Sequence, residues 1–178
     1  MDLYSSKGNL VQQKRISGIV YSYKWGYNDQ YPIAEVKNAA ENEFYCQNFE
    51  ESEGVLGNSH SGLKFYDGAY TVNWNRPNSR AYRISYFYLT SGLWKFKEED
   101  YTTNNKLLSG GTAYDDIRIY PSDAEITTYT FDALIGMTSS TDAKGMTTYY
   151  EYDGLQRLKT VKDQNGNILK QTDYHYKN

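Results

Sequence analysis

One stretch of the sequence combines aromatic rings with polar side chains in a spacing that could bind a sugar. Within residues 70–80 the side chains best suited to this are those of Tyr70, Asn73, Trp74, Asn75 and Arg76. The apolar face of a sugar stacks on an aromatic ring, whereas its hydroxyl groups need hydrogen-bond partners. We therefore predict carbohydrate binding at Trp74, Tyr70 and Arg76, with Trp94 as a second aromatic platform. Because 16% of the residues are aromatic, packing of these rings in a core or in cross-strand pairs is the alternative.

The sequence holds no arrangement of residues that indicates an enzyme. Its two histidines, His60 and His175, lie in different segments, and there is no HExxH, GxSxG or phosphate-cradling glycine-rich loop. The acidic residues 98–100 belong to KFKEEDYTT, whose alternation is typical of an exposed strand end. We predict that the chain is not catalytic.

Composition indicates strands and disfavours several classes of partner. The 178 residues include 20 tyrosines but only 3 prolines, and tyrosine fits the half-buried face of a pleated strand. A net charge of -3 with scattered Lys and Arg gives no basic stripe, so we expect no nucleic-acid partner. No apolar run approaches the roughly 18 residues of a membrane span. The start, MDLYSSKGNL, lacks the features of a signal peptide, so we expect either a cytoplasmic chain or a fragment of a longer one.

The C-terminal part of the chain repeats itself. TYTFDALIGMTSSTDAKGMT (128–147) aligns with YYEYDGLQRLKTVKDQNGNI (149–168) at an offset of 21 residues, and SSKGNLV (5–11) resembles DQNGNIL (163–169). A period in this range indicates a repeat architecture whose single units cannot bury their own apolar face. Each copy is predicted to be a pair of short strands, with a type I′ turn at Asn165-Gly166.

The middle of the chain loses this period. It reads as separate short strands divided by segments rich in Gly, Asn and Ser, a pattern typical of an antiparallel sandwich. We therefore predict three parts: partial repeat strands in 1–42, a β-sandwich in 43–121, and about two repeats in 122–178. The predicted fold class is all-β.

The stretch YEYDGLQRL (150–158) resembles the YD repeat of Rhs-type proteins, in which an aromatic residue and Asp precede Gly-Arg-Leu. The resemblance, of Bacteroidetes type, implies β-hairpins with a structural role in a large cell-surface or secreted protein. The partner that it implies is the remainder of a longer repeat array. Gln156 stands where the pattern has glycine, so we expect a different turn there.

The middle resembles, less specifically, a galactose-binding-like jelly roll of the carbohydrate-binding-module kind, or a laminin-G-like sandwich. The matching stretches are NFEES (48–52), SHSGLKFY (59–66) and YDDIRIYP (114–121). The jelly-roll resemblance implies polysaccharide as a partner and a structural calcium held by Glu50, or its alternate Glu51, with Asp115 or Asp116. Carboxylates that simply cap strand ends in solvent are the alternative.

Overall fold

The computed structural model describes residues 2–16, 18–51 and 53–175. Its regular structure consists of seventeen strands that pair antiparallel, and the described residues contain no helix. The predicted all-β fold class is confirmed. Within these ranges there is accordingly no helix long and apolar enough to cross a membrane.

The largest sheet, here called the repeat sheet, takes its nine strands from both ends of the described chain. The first four strands are β1 (Leu3–Tyr4), β2 (Leu10–Lys14), β3 (Val20–Gly26) and β4 (Tyr31–Lys37). The last five are β13 (Glu125–Asp132), β14 (Gly136–Thr141), β15 (Thr147–Tyr152), β16 (Leu158–Lys162) and β17 (Ile168–Gln171). Each strand pairs with its neighbour in the chain, except that β4 pairs with β13. The sheet therefore continues without a break across the intervening residues.

The segment 43–121, here called the insert, forms a second sheet. Its eight strands are β5 (Tyr45–Gln47), β6 (Val55–Leu56), β7 (Lys64–Asp67), β8 (Thr71–Val72), β9 (Tyr82–Thr90), β10 (Leu93–Asp100), β11 (Lys106–Leu107) and β12 (Ala113–Pro121). Six of them form a sheet in the order β10-β9-β12-β7-β6, with β5 also paired to β12. Strands β8 and β11 form a separate two-stranded ribbon.

The insert sheet is covered on both faces. Val72 of the ribbon and Leu108 beside it pack with Ile84, Ile117 and Ile119 in an apolar cluster on one face. The other face contacts the repeat sheet through polar side chains and through a second apolar cluster, in which Cys46 and Tyr120 of the insert pack with Val36 and Ile126 of the repeat sheet. The second large layer of the sandwich thus comes from the flanking repeats, because residues 43–121 supply only a short ribbon of their own.

Four hairpin turns of the repeat sheet share one set of hydrogen bonds. In the turn that follows Asp163, the Gly166 N–H donates to the Asp163 carbonyl over 3.0 Å, and the Asp163 N–H donates to the Asn167 carbonyl over 2.9 Å. The Asp163 carboxylate accepts from the N–H groups of Asn165 and Asn167 over 2.8 and 2.9 Å. This set of bonds fixes both the loop length and the register of the two strands.

The same four bonds form at three other turns, where Ser5, Asp142 and Asp153 take the place of Asp163. Ser5 uses its hydroxyl oxygen where the others use a carboxylate. The likeness between 5–11 and 163–169 that was read from the sequence is therefore a likeness of structure.

The predicted type I′ turn is wrong. Gly166 has a φ of 82°, but Asn165 is not among the residues with positive φ, and a type I′ turn needs positive φ at both positions. The loop instead has three residues, 164–166, and ends in a left-handed glycine. The carboxylate of Asp163 favours this wider loop because it binds the N–H of Asn165 and of Asn167.

The expectation of a different turn at Gln156 is also wrong. Gln156 has a φ of 61°, in the same left-handed region as Gly145 and Gly166. A side chain in that region costs roughly 1–2 kcal/mol. The bonds of the Asp153 carboxylate and its ion pair with Arg157, 2.7 Å long, hold the backbone in the repeated turn despite that cost.

Phe131 and Tyr152 occupy equivalent places in adjacent hairpins, as the 21-residue offset requires. Each precedes the turn aspartate and lies at a bulge, opposite Met137 and Leu158 respectively. The Tyr152 hydroxyl donates to the Met137 carbonyl of the preceding hairpin over 2.9 Å. One copy thus uses its aromatic residue to contact the backbone of the copy before it.

Candidate ligand site between the insert and the repeats

Arg118 fixes the insert to the repeat sheet. Its side chain is fully buried, with Nε donating to the Ser85 hydroxyl over 3.0 Å inside the insert. Its Nη1 donates over 2.8 Å to the carbonyl of Asp142, the first residue of a repeat turn. A buried guanidinium needs such partners because its desolvation is costly. Strand β12 therefore positions one particular repeat turn against the insert.

Two neighbouring carboxylates in β12 extend this polar contact. A bulge at Asp116, which has a φ of 45°, lets both side chains point away from the apolar cluster. Asp115 accepts hydrogen bonds from the N–H groups of His60 and Ser61 over 3.0 and 2.9 Å. Asp116 accepts from the Thr128 hydroxyl of the repeat sheet over 2.9 Å. Burial raises the pKa of both carboxyl groups, most strongly that of Asp115.

Glu50 and Glu51, which were predicted to bind calcium, accept hydrogen bonds from backbone N–H groups in this structure. Glu50 accepts from the N–H groups of Leu63 and Lys64, both over 2.9 Å, and Glu51 accepts from the N–H of Asn28 over 2.9 Å. Among the described residues no group of three or more His, Cys, Asp or Glu side chains is arranged to hold a metal ion. Calcium binding at Glu50, Asp115 and Asp116 stays a prediction.

A cleft of about 710 Å³, here called the junction cleft, opens between the insert and two turns of the repeat sheet. The insert contributes the rings of Phe87, Trp94 and Phe96 and the polar residues Asn58 and Ser59. The repeat sheet contributes four residues with polar side chains, Lys144, Tyr149, Gln164 and Asn165. Ligand sites of small molecules typically have volumes of about 300–1,000 Å³. The cleft therefore has the size of a ligand site.

Trp94, the second predicted sugar platform, lies in the wall of the junction cleft. Its Nε1 donates to the carbonyl of Asn58 over 2.8 Å, which fixes the orientation of the indole. Its ring meets Phe65 edge to face at a centroid distance of 5.8 Å. The indole is half-buried. It is therefore held in one position while part of it remains accessible from the cleft.

His60 connects the two sides of the junction cleft. Its imidazole stacks on Phe87 with ring centroids 3.4 Å apart, and its Nε2 is hydrogen-bonded to the Thr147 hydroxyl over 3.0 Å. Its backbone carbonyl accepts from the Tyr149 hydroxyl over 2.7 Å. Burial, helped by the nearby charge of Arg118, lowers the pKa of His60 to about 3. The imidazole is therefore neutral at physiological pH.

The repeat turn at Asp142 lies directly on an aromatic ring of the insert. A Cβ added to Gly145 would be 2.6 Å from two ring carbons of Phe96, a distance that real side chains do not adopt. Gly145 also has a φ of 76°. Glycine at this position therefore serves both the turn and the close approach of the repeat to the insert.

The other predicted sugar residues lie away from this cleft. Trp74 packs edge to face on Tyr82, its carbonyl accepts from the Tyr101 hydroxyl over 2.6 Å, and it lines a separate cleft of about 400 Å³. Tyr70 packs edge to face on Phe49. The structure therefore does not bring Trp94 together with Trp74 and Tyr70.

Arg76, the remaining predicted sugar residue, is exposed, and its Nη2 donates to the Thr102 carbonyl over 3.1 Å. Sugar binding by Trp74, Tyr70, Arg76 and Trp94 stays a prediction.

Sequence reasoning missed the repeat-side residues of the junction cleft. Lys144, Gln164 and Asn165 belong to turns whose strongest sequence signal is glycine, and that signal describes the backbone only. Asn58 and Asn165 are far apart in the sequence, so the sequence alone does not indicate that both line the same cleft. The placement of repeat-like sequence on both sides of the insert was the available signal, since it allowed the two flanks to form one sheet.

No known protein family matches this sequence, and no curated protein is similar to it. Weak structural neighbours include the crystal structure of TcdB2-TccC3-TEV, at 14% identity and a TM-score of 0.23. That match covers 97% of this chain but 8% of the solved one. The crystal structure of TcdB2-TccC3-Cdc42 matches at 14% identity and a TM-score of 0.22, with 96% of this chain and 9% of the solved chain covered. The chain thus spans less than a tenth of the length of these neighbours.

Proposed function

We propose that the chain is a non-catalytic structural segment of a longer YD-repeat protein that is located at the cell surface or secreted. The observation that supports this proposal is the pairing of β4 with β13, which joins the two flanks into one nine-stranded sheet. The repeated Asp-centred turn supports it further, because one hydrogen-bonded unit recurs along that sheet. In this role the partner is the remainder of the repeat array.

The two edges of the repeat sheet are where further repeats would attach. Among the described residues β1 pairs only with β2, and β17 only with β16. All four residues of β17 are exposed, including Ile168 and Leu169. An open strand presents unpaired backbone groups and apolar side chains to other strands. The last strand of this chain is therefore suited to continue the sheet.

Self-association of the isolated chain tests this role. With no adjoining repeats present, the open edges should pair with each other, so the mass measured by light scattering should rise with protein concentration. Gln171→Pro in β17 removes the backbone donor that points to the open edge and should keep the chain monomeric. The control is Leu134→Lys, which changes an exposed residue in a turn. A chain that stays monomeric at every concentration would contradict the proposal.

Carbohydrate binding is a second candidate function. The observation that favours it is the junction cleft, in which a fixed and half-buried Trp94 stands among amide and hydroxyl side chains. In this role the repeat sheet displays the insert to a polysaccharide. Binding of soluble oligosaccharides to the whole chain, measured by calorimetry, tests the function, and a complete absence of binding would exclude it.

A further inference from the structure

We propose that the junction cleft is a composite site for a neutral oligosaccharide, to which the repeat turns contribute as much as the insert does. The proposal rests on the carbohydrate-binding function above and assigns it to one place and one ligand class. It gives the turns at Asp142 and Asp163 a second role besides closing hairpins.

The two sides of the cleft supply complementary chemistry. The insert supplies aromatic surface through the accessible part of the Trp94 indole, on which the apolar face of a sugar ring can stack, while Phe87 and Phe96 are covered by His60 and by the Gly145 turn. The repeat turns supply the side-chain amides of Gln164 and Asn165, each of which can both donate and accept hydrogen bonds. Sugar hydroxyl groups require both kinds of partner. The Trp94 indole and this amide pair belong to opposite sides of the cleft.

The charges at the cleft favour a neutral ligand. Lys144 is the one side chain with a formal charge among the described residues that line it, and His60 is neutral. The chain carries a net charge of -3. A sulfated or phosphorylated ligand would meet a single cation here, whereas a neutral sugar needs none. The amide and hydroxyl groups therefore indicate an uncharged sugar.

The cleft walls are held in place before a ligand arrives. The Trp94 indole is fixed by its bond to the Asn58 carbonyl, and the Asp142 turn is fixed by Arg118 and by its contact with Phe96. Prior ordering of this kind lowers the conformational entropy lost on binding. The site is therefore largely formed in the free protein.

The test is a calorimetric titration of the whole chain with four uncharged probes: cellotetraose, xylotetraose, laminaritetraose and mannotetraose. A sulfated heparin tetrasaccharide serves as the charged comparison. We expect at least one neutral probe to bind more tightly than the heparin fragment. Trp94→Ala and the double variant Gln164→Ala/Asn165→Ala should each weaken that binding by about tenfold or more.

Two matched controls separate the site from general effects of substitution. Leu155→Ala changes the residue that corresponds to Asn165 in the turn after Asp153, outside the cleft lining. Trp25→Ala removes an indole from the other cleft. Both should leave the affinity unchanged. Trp94→Phe retains an aromatic ring and should lose less affinity than Trp94→Ala. This comparison distinguishes the loss of ring stacking from a folding defect.

The possible failures have different meanings. If Trp94→Ala abolishes binding but the Gln164→Ala/Asn165→Ala variant binds normally, the insert binds carbohydrate by itself and the composite site is wrong. If only the heparin fragment binds, the assignment to a neutral ligand is wrong. If neither a neutral probe nor the heparin fragment binds at millimolar concentration, both the composite site and the carbohydrate-binding function are wrong, whereas the structural role is unaffected.

Discussion

The two faces of strand β12 are buried in opposite ways. On one face Ile117 and Ile119 belong to an apolar cluster that also contains Ile84. On the other face Arg118 and Asp116 bind groups of the repeat sheet, and Tyr120 belongs to a second apolar cluster that includes repeat-sheet residues. Burying apolar area stabilises a fold without requiring particular bond geometry. A buried hydrogen-bonded charge adds little net stability, but it is satisfied in only one arrangement.

This difference indicates a division of roles within one sheet. One apolar cluster holds the insert together, and the other face holds the insert on the repeats through a second apolar cluster and through buried charges that require one arrangement. Because the polar partners of Arg118 are in a repeat turn, the insert is placed by the same structural unit that builds the array. Substitutions on the two faces of β12, in the repeat turns and at His60 test this division of roles.

Ile119→Ala should cause the largest loss, about 4 kcal/mol in the free energy of unfolding, because it opens a cavity in the apolar cluster. Ile119 is fully buried there. Urea unfolding followed by circular dichroism measures the change. Leu107→Ala, at an exposed leucine of the ribbon, is the control and should change the free energy by less than about 0.5 kcal/mol. Equal losses in the two variants would contradict the assignment of the cluster.

Arg118→Met should cost about 3 kcal/mol, since it removes the cation beside the buried carboxyl of Asp116 and leaves that group without its charged neighbour. The double variant Asp116→Leu/Arg118→Met should recover part of this loss, because it removes both polar groups. The same unfolding measurement applies. A double variant that is less stable than Arg118→Met would show that the polar face contributes net stability, against the comparison drawn here.

Gly145→Ala and Gly166→Ala separate the turn from the docking contact. Both glycines have a left-handed φ, so each alanine should cost about 1 kcal/mol. Gly145 also lies on the ring of Phe96, whereas nothing lies within 4 Å of the Gly166 position. Crowding at Phe96 should add about 1 kcal/mol or more at Gly145. Equal costs in thermal unfolding would show that the turn does not dock tightly on the insert.

Acid should destabilise the chain through His60. The pKa of this histidine is lowered in the folded state to about 3, so the neutral form contributes stability above the unfolded pKa of about 6.5. This contribution is lost as the pH falls from about 6.5 towards 3. The slope should be shallower than the limit of about 1.4 kcal/mol per pH unit, because the side chain is partly exposed at the cleft.

The comparison of wild type with His60→Gln isolates this effect from the carboxyl groups of Asp115 and Asp116, which both proteins share. The burial of those groups raises their pKa and acts in the opposite direction. The stability difference between the two proteins should change steadily between pH 6 and pH 3. A difference that is constant with pH would contradict the lowered pKa.

The repeats were more predictable from the sequence than the site. The spacing of Asp142, Asp153 and Asp163 follows from local hydrogen bonds, so a 21-residue offset suffices to find the hairpins. Even there the predicted turn type is wrong. Asn-Gly favours a two-residue loop, whereas the side chain of the preceding aspartate favours a three-residue loop. A local pattern thus predicts that a turn exists more readily than it predicts the turn's geometry.

The arrangement of the insert on the repeats was not predictable, because it depends on contacts between residues far apart in the chain. In the sequence Arg118 is a polar residue of an alternating strand, and only the fold shows that this face of the strand is buried. The position of Trp94 opposite Gln164 and Asn165 likewise follows from the pairing of β4 with β13. Repeat-like sequence on both flanks is consistent with that pairing but gives neither its partners nor its register.

Hydrogen exchange of the backbone amides in the β4–β13 pair tests the central claim most directly. We predict that the amides of Glu35, Lys37 and Thr127, which point across this pair, are as strongly protected as those of the neighbouring β3–β4 and β13–β14 pairs, so that they exchange only by global unfolding. Rapid exchange confined to β4 and β13 would show that the flanks form two separate sheets. That result would contradict a continuous repeat sheet carrying the insert.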